Sequence, residues 1–382
     1  MITECMPHFR EKASLCNVWD KTTGEPLYNA IVWNDIRTNT TVDTILAKIP
    51  DGNTDYFRHI CGLPISPYFS AFKLKWLMYY IPQVKKAVKA KKCLFGTVDT
   101  WILWNLTGGV NDGKHITDVT NASRTFLMNI ELLNWDPLLL HTFKTPVEIL
   151  PEIRSSSEIY GQVSGDFPLK GVLISGILGN QQASLLGQNC IKEGQAKSTY
   201  RSGCFLLYNT GTSKVQSTHG LITTVAYKFG TAPAVYALEG SVAVAGAAVK
   251  WLRDNMGFIK DVQKDTESLA QEVFNTGDVY FVPAFNGLYA PYWRKDARGG
   301  VPVIRPQSQD ITTLGLAIAA GAAVGVDVWD IHDEERELVP TDTFLPTSTE
   351  DERDARYTKW KMAVQRSLGW ALPKKTSIMT GM

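Results

Sequence analysis

The amino-acid sequence predicts an α/β fold in two domains, and three observations support this prediction. The chain has 382 residues, which is long enough for two domains that each enclose a core. Residues 172–188 have the pattern of a short apolar strand, a glycine-bounded turn and a helix with one apolar face. A turn-rich link at residues 166–170 precedes this unit. We therefore expect one domain over residues 1–168 and a second over residues 169–382.

The composition excludes several classes of function. With 44% hydrophobic and 20% charged residues, the chain is typical of a globular protein. A net charge of +1 gives no electrostatic basis for binding nucleic acid or an anionic membrane surface. The uncharged run at residues 311–326 is shorter than the roughly 20 apolar residues of a membrane span, and it predicts a buried helix instead. We expect a small or neutral partner.

The cysteines indicate a reducing compartment. The chain has six of them, without Cys-x-x-Cys spacing, and no signal peptide precedes them. We therefore expect reduced thiols in a cytoplasmic protein, with neither a zinc site nor a disulfide framework.

The first domain is predicted to begin with a hairpin. Two β-rich runs, at residues 16–20 and 28–33, flank a turn at residues 20–24. A helix is predicted over residues 38–48, and a proline-bounded loop follows at residues 61–70. On pattern alone, Trp33 is an aromatic core residue and Tyr68 a rigid spacer in this loop, although either side chain could instead line a ligand site.

The second domain is predicted to contain a glycine-turn hairpin and several helices. Residues 198–207 form the pattern of a strand, a glycine turn and another strand. A strand ending at residue 240 precedes a helix from residue 244, whose small residues permit close packing. An amphipathic helix is predicted over residues 359–370.

The turn before residue 180 is the strongest candidate for a functional site. Gly176 and Gly179 supply conformational freedom, so Asn180 and Gln181 are expected at a helix start that faces a cleft. The structural alternative is that Asn180 caps the helix and that both glutamines after it are solvated.

The segment Gly179-Asn180-Gln181-Gln182 resembles the Gly-Asp-Gln-Gln turn of the glycerol kinases, which are members of the FGGY carbohydrate kinases. The loop at residues 61–70 is similar to the first signature of that family. The resemblance covers residues 18–299 and 301–370. It implies two actin-like, ribonuclease-H-like domains of α/β class with a cleft between them.

The resemblance implies the following site. Asn180 occupies the position of the general base Asp, and a carboxamide cannot accept a proton at neutral pH. The residues implied to bind glycerol or a similar polyol are Arg10, Glu11, Trp33, Tyr68, Gln181 and Phe205. An exposed, unstructured Arg10-Glu11 pair is the alternative, because its spacing to the next strand exceeds that of the family by about three residues.

The resemblance also implies ATP and Mg²⁺ as cofactors, with no metal-ligating residue identified in the chain. Arg201, Ser202, Gly203 and Gly246 match positions near the nucleotide phosphates. Arg201 stands where the family has glycine, so it either obstructs the phosphates or pairs with one of them.

The sequence departs from the family at two further places. No Asp-x-Gly-Thr strand is found at the start of the chain, and the pattern jumps near residues 299–301, where the family continues into its adenosine-binding block. Both domains are therefore expected to be incomplete, as in a shortened isoform or an incomplete gene model. These departures predict a kinase-type chain with reduced or lost activity. The alternative is a non-catalytic regulatory paralogue that forms an oligomer with a full-length kinase.

Overall fold

The structure is a computed structural model, and it describes residues 16–165, 168–262, 264–273, 303–306, 311–331, 341–344 and 349–367. Both strands and α-helices occur along the whole of this length, in runs of one to four elements of the same kind. The predicted α/β class is confirmed.

The first half of the chain contains eight strands and seven α-helices among the described residues. The strands are β1 (Asn17–Asp20), β2 (Cys93–Gly96), β3 (Ile116–Asp118), β4 (Met128–Asn129), β5 (Asn134–Trp135), β6 (Glu152–Arg154), β7 (Ser157–Gln162) and β8 (Leu173–Gly176). The helices are α1 (Asn39–Leu46), α2 (Arg58–Cys61), α3 (Ser70–Tyr80), α4 (Pro82–Lys89), α5 (Val98–Leu106), α6 (Val119–Ala122) and α7 (Pro137–Phe143).

The second half begins with the helix that follows β8. Its helices are α8 (Asn180–Gly187), α9 (Gly246–Asp254), α10 (Asp265–Gln271), α11 (Ile311–Gly321) and α12 (Glu350–Ser367). Its strands are β9 (Ala196–Tyr200), β10 (Cys204–Asn209), β11 (Ile222–Tyr227), β12 (Val235–Val242), β13 (Val303–Pro306) and β14 (Thr341–Phe344).

The largest sheet of the described residues lies in the second half. It is antiparallel, with the strand order β11-β12-β10-β9. In the first half, β3 pairs in parallel with β6, whereas β1 pairs with β2 and β7 pairs with β8 in antiparallel register. The parallel pair of β3 and β6 holds residues 116–118 directly before α6. This segment supports the candidate site.

Aromatic rings fill the core of the first half. Phe126 contacts Phe69, Phe72 and Phe143 with ring centroids 6.0, 5.3 and 5.6 Å apart. All four side chains are almost completely buried. Such edge and tilted contacts add about 0.5–1.5 kcal/mol per pair beyond the burial of apolar area, so this cluster fixes the end of the 61–70 loop against α3.

Two glycines let α8 and α11 cross at backbone contact. A Cβ on Gly315 would lie 1.7 Å from the carbonyl oxygen of Ala183, and one on Gly187 would lie 1.9 Å from the carbonyl oxygen of Ile311. Since no side chain separates the helices, α11 holds α8 against the sheet of the second half.

The two halves also meet through main-chain contacts. The amide of Thr223 donates to the carbonyl of Gly62 at 3.0 Å. Gly62 has a φ of +79°, and a Cβ there would lie 2.3 Å from the carbonyl oxygen of Thr223. The hydroxyl of Tyr236 donates to the carbonyl of Ile130 at 3.0 Å, so β11 and β12 are both fastened to the first half.

Several predicted elements are found and others need correction. The helices predicted over residues 38–48 and 311–326 are present as α1 and α11. The second arm of the predicted hairpin, residues 28–33, makes only an isolated bridge at Ile31, and a further bridge lies before it at Pro26. The strand before the central turn is only half buried, since Leu173 is 47% exposed and lies at the edge of a two-stranded sheet.

Some predictions fall outside the described residues. These include Asp166 within the predicted link and the break near residues 299–301. The predicted helix at 359–370 coincides with the end of α12, but its last residues lie outside the description. The division at residue 168 stays a prediction.

Within the described ranges, no helix is long and apolar enough to cross a membrane. The five cysteines there, Cys16, Cys61, Cys93, Cys190 and Cys204, are free. Burial raises the pKa of the Cys16 and Cys61 thiols to about 12, so both stay protonated at neutral pH.

A buried histidine predicts acid sensitivity. His115 packs edge-on against Trp19, and its Nε2 donates to the carbonyl of Phe95 at 2.8 Å. Burial lowers the pKa of His115 to about 4 from an ordinary 6.5. The unfolded chain therefore binds a proton in this window that the folded chain does not, so stability present above pH 6.5 falls as the pH drops towards 4.

The lowering of the His115 pKa corresponds to about 3 kcal/mol of unfolding free energy. We expect the free energy of unfolding of the parent to fall relative to that of His115→Gln as the pH drops from 6.5 to 4. Urea unfolding at several pH values measures this change. A difference that is independent of pH would contradict this assignment.

Candidate functional site

Three aromatic side chains from both halves of the chain meet at one place. Trp33 and Tyr68 are in edge contact with ring centroids 5.7 Å apart, and Trp33 and Phe205 are 6.0 Å apart. Phe205 lies on β10, whereas Trp33 and Tyr68 belong to loops of the first half. The structure thus brings together three of the predicted substrate residues as one wall, which we call the aromatic wall.

A buried ion pair supports this wall. Arg124 donates to the hydroxyl of Tyr68 at 3.3 Å, and its guanidinium carbon lies 5.4 Å from the centre of the same ring. It also pairs with Glu239 at 3.0 Å, and the side chains are only 6% and 1% exposed. Ser241 donates to the same carboxylate at 2.6 Å. Arg124 therefore couples Tyr68 to strand β12.

The start of α8 is held by hydrogen bonds to buried side chains. The N-cap is Gly179, and Asn180 is the first helical residue. The amide of Gly179 donates to the hydroxyl of Thr120 at 2.8 Å, and that hydroxyl donates to Asp118. Asp118 is fully buried and caps α6 by accepting two amide hydrogens. This network fixes the main chain directly before Asn180.

The glutamines that follow are not solvated, so the structural alternative for this turn is wrong. Gln182 is buried and donates to the hydroxyl of Thr224 and to the carbonyl of Val225, at 3.2 and 3.3 Å. Gln181 is half buried and accepts a hydrogen bond from Lys197. The half-buried Asn180 side chain makes no hydrogen bond to any described residue, so its carboxamide is open to a ligand.

The predicted nucleotide residues also lie together. The amide of Gly246 donates to the carbonyl of Arg201 at 2.8 Å, and that of Ala247 donates to the carbonyl of Ser202 at 3.2 Å. Gly203 is buried against strand β12, where a Cβ would lie 2.6 Å from the carbonyl oxygen of Val242. The hairpin between β9 and β10 thus packs directly on the start of α9.

This packing occupies backbone amides at the start of α9 that could otherwise face a nucleotide phosphate. A cradle needs free amides at a helix start or in a turn. The first three amides of α9 are already bonded, those of Gly246 and Ala247 to the hairpin and that of Ala248 to the carbonyl of Ala245 at 2.8 Å. The exposed Arg201 makes its turn without a positive φ, so its side chain causes no backbone strain there.

Arg10 and Glu11 lie outside the described residues. The described parts of the chain contain no group of three or more His, Cys, Asp or Glu side chains that could hold a metal ion. The residues described thus offer no resident metal centre of that kind.

Sequence reasoning missed three buried charged residues of the site, namely Lys197, Arg124 and Glu239. All three are buried. Lys197 lies in β9, and burial lowers the pKa of its amine to about 7. A lysine within an alternating strand pattern could have signalled an inward charge, but nothing in the sequence alone pairs Arg124 with Glu239, which are far apart along the chain.

Family models match most of the chain. The model described as "FGGY family of carbohydrate kinases, N-terminal domain" matches residues 12–187, and the C-terminal domain of the same family matches residues 197–326. The chain is similar to a glycerol kinase of Azorhizobium caulinodans, with 45% identity over 95% of this chain and 84% of the relative. A glycerol kinase of Brucella anthropi is 43% identical over 92% of this chain and 82% of the relative.

The aligned region with the Brucella relative runs over 426 positions, more than the 382 residues of this entire chain. Some positions of that relative therefore have no counterpart here. That these positions fall at the start of the chain and near residues 299–301 stays a prediction.

Solved structures agree with this assignment. The structure of Plasmodium falciparum glycerol kinase with ADP superposes with a TM-score of 0.79, at 33% identity over 93% of this chain and 82% of that chain. A xylulose kinase from Lactobacillus acidophilus has a TM-score of 0.72 at 19% identity, which shows the shared fold alone. The chain belongs to the FGGY family of carbohydrate kinases.

Proposed function

We propose that this chain binds glycerol or a similar polyol between the aromatic wall and the start of α8. The observation that carries the proposal is the contact of Trp33 with both Tyr68 and Phe205, beside Gln181, which is tied to Phe205 through Lys197. Aromatic faces can cover the carbon chain of a polyol, while carboxamides can exchange hydrogen bonds with its hydroxyls. The glycerol kinases among its relatives support this choice of ligand.

We further propose that ATP-dependent phosphorylation of the polyol by this chain is weak or lost. Asn180 occupies the position that the family resemblance gives to the general base, and a carboxamide does not take up a proton near neutral pH. General-base catalysis typically contributes about 10²–10⁴-fold in rate. The bonded amides at the start of α9 are a second obstacle, because they leave fewer donors for phosphate oxygens. We also place the chain in the cytoplasm, where its free thiols would stay reduced.

The experiment compares the parent chain with Asn180→Asp. Glycerol binding is measured by calorimetry, and release of ADP in the presence of glycerol, ATP and Mg²⁺ is measured by a coupled assay. We expect the parent to bind glycerol with little ADP release. Asp at the first position of α8 is favoured by the helix dipole. We nevertheless expect it to raise turnover by less than about tenfold, because the bonded amides at the start of α9 remain an obstacle. This gain is well below the roughly 10²–10⁴-fold that a general base alone can contribute.

The control is Asn134→Asp on exposed β5, which should leave both measurements unchanged. Turnover by the parent comparable to that of an intact glycerol kinase would contradict the loss of activity. Absence of glycerol binding would contradict the polyol site itself.

The uncharged Asn180 also favours a second candidate, a non-catalytic regulatory partner of an intact kinase. Mixing the chain with a full-length relative and measuring the activity of that relative would separate the two candidates. A strictly monomeric chain without effect on the relative would exclude the regulatory role.

A further inference from the structure

A buried lysine lies directly behind the candidate polyol site. Lys197 is 2% exposed, and its amine donates to the side-chain oxygen of Gln181, to the hydroxyl of Thr199 at 3.0 Å and to the carbonyl of Phe205 at 3.3 Å. Gln181 and Phe205 are two of the residues proposed to contact the polyol. One amine therefore connects the start of α8 with the aromatic wall.

The chemistry of this contact determines which way the Gln181 carboxamide faces. The Lys197 amine donates to Oε1 of Gln181, and a lysine in its charged form has three donors and no acceptor, so it holds the oxygen end of the carboxamide. The NH₂ group is then turned away from Lys197. Among the described residues, Nε2 of Gln181 has no hydrogen-bond partner, and the side chain is only half buried. The donor end of the carboxamide is thus available to a ligand.

We propose that Lys197 is a positioning residue that holds the Gln181 carboxamide with its NH₂ group towards the polyol, so that the site recognises an acceptor hydroxyl oxygen there. This inference rests on the proposed polyol site. Without Lys197 the carboxamide could rotate and present either end. The site would then lose its fixed donor, although Trp33, Tyr68 and Phe205 would still cover the carbon chain.

The surroundings of the Lys197 amine compensate for its burial. Burying an ammonium is costly unless its donors are satisfied, and here three oxygens from α8, β9 and β10 satisfy all three. The neighbouring carboxylate of Glu239 favours the charged form, while burial opposes it. This carboxylate belongs to the same ion pair that supports Tyr68.

The first test uses the free protein and needs no ligand. Lys197→Met keeps the length of the side chain and removes the donors. We expect the NMR order parameter of the Gln181 side-chain amide to fall below about 0.6, the range of flexible groups. In Lys75→Met the order parameter should stay as in the parent, because the Lys75 amine donates to carbonyls of Thr142 and Phe143 instead. An equally ordered Gln181 in Lys197→Met would overturn the proposal, whether or not the chain binds a polyol.

The second test measures glycerol affinity in a double-mutant cycle. Loss of one hydrogen bond corresponds to a weakening of about tenfold. We expect about this loss in Lys197→Met and in Gln181→Leu, and no further loss when both are combined, because Lys197 acts through Gln181. Additive losses would contradict the proposed coupling.

Gln181→Glu is the sharpest variant of this set. It keeps an oxygen for Lys197 and even adds a charge-assisted contact, but it replaces the outward donor with an acceptor. We expect affinity to fall as in Gln181→Leu, and unchanged affinity would overturn the proposal. If the parent binds no polyol at all, the proposed function fails, while the order parameter of Gln181 still decides the role of Lys197.

Discussion

Replacing Gly315 with alanine is expected to destabilise the protein by about 3 kcal/mol or more, which is at or above the usual cost of overpacking a core. The reason is geometric: the new Cβ would lie 1.7 Å from the carbonyl oxygen of Ala183 and 2.9 Å from the amide nitrogen of Gly187. Both atoms belong to the backbone of α8, so no side chain can rotate to make room. The two helices must therefore separate.

Urea unfolding followed by circular dichroism measures this effect. The control is Ala317→Ser on the exposed face of the same helix, for which we expect a change within about 0.5 kcal/mol. An unchanged midpoint for Gly315→Ala would show that α11 does not pack on α8 as described. Since α8 carries Asn180 and Gln181, glycerol affinity should fall together with stability.

Replacing Glu239 with glutamine is expected to cost about 3–5 kcal/mol, as is typical when one partner of a buried ion pair is removed. The guanidinium of Arg124 would keep its charge with only 6% of its side chain exposed, and one of its nitrogens, Nη1, has no hydrogen-bond partner already. Glutamine preserves the shape of the side chain, so the loss reports on charge. The unfolding free energy measures it.

An exposed ion pair between the same two halves provides a matched control. Lys214 pairs with Glu131, whose side chain is 72% exposed. We expect Glu131→Gln to leave the free energy of unfolding almost unchanged, because water screens such pairs. The double variant Arg124→Met with Glu239→Leu should recover part of the loss. Equal costs for Glu239→Gln and Glu131→Gln would contradict the importance of burial.

Local chain geometry could be predicted where pattern and turn residues agree. The strand, turn and helix around Asn180 are found as predicted, although Gly179 has an ordinary extended conformation, with φ −60° and ψ 145°, and does not use the conformational freedom of glycine. The cap of α6 is likewise local, because Asp118 accepts the amide hydrogens of residues two and three positions further on. Both features depend on residues within a few positions of one another, so the sequence contains the information.

The contacts between distant residues could not be predicted in this way. Lys197 reaches Gln181 across sixteen positions, and Arg124 reaches Glu239 across more than a hundred. Such pairings follow from how the sheet of the second half lies against α6 and α8, which local pattern does not encode. The hydrogen bonds that use the amides of Gly246 and Ala247 likewise appear only once the hairpin and α9 are placed together.

The junction at Gly62 has a consequence for how the protein tolerates sequence change. Its carbonyl accepts the amide hydrogen of Thr223, and the space beside its Cα is taken by a carbonyl oxygen of that same residue. Because both partners are main chain, the separation of the two halves at this point is independent of side-chain size in the surrounding loops. Sequence divergence can therefore reshape the ligand pocket while the spacing across it is preserved, provided that residue 62 remains glycine.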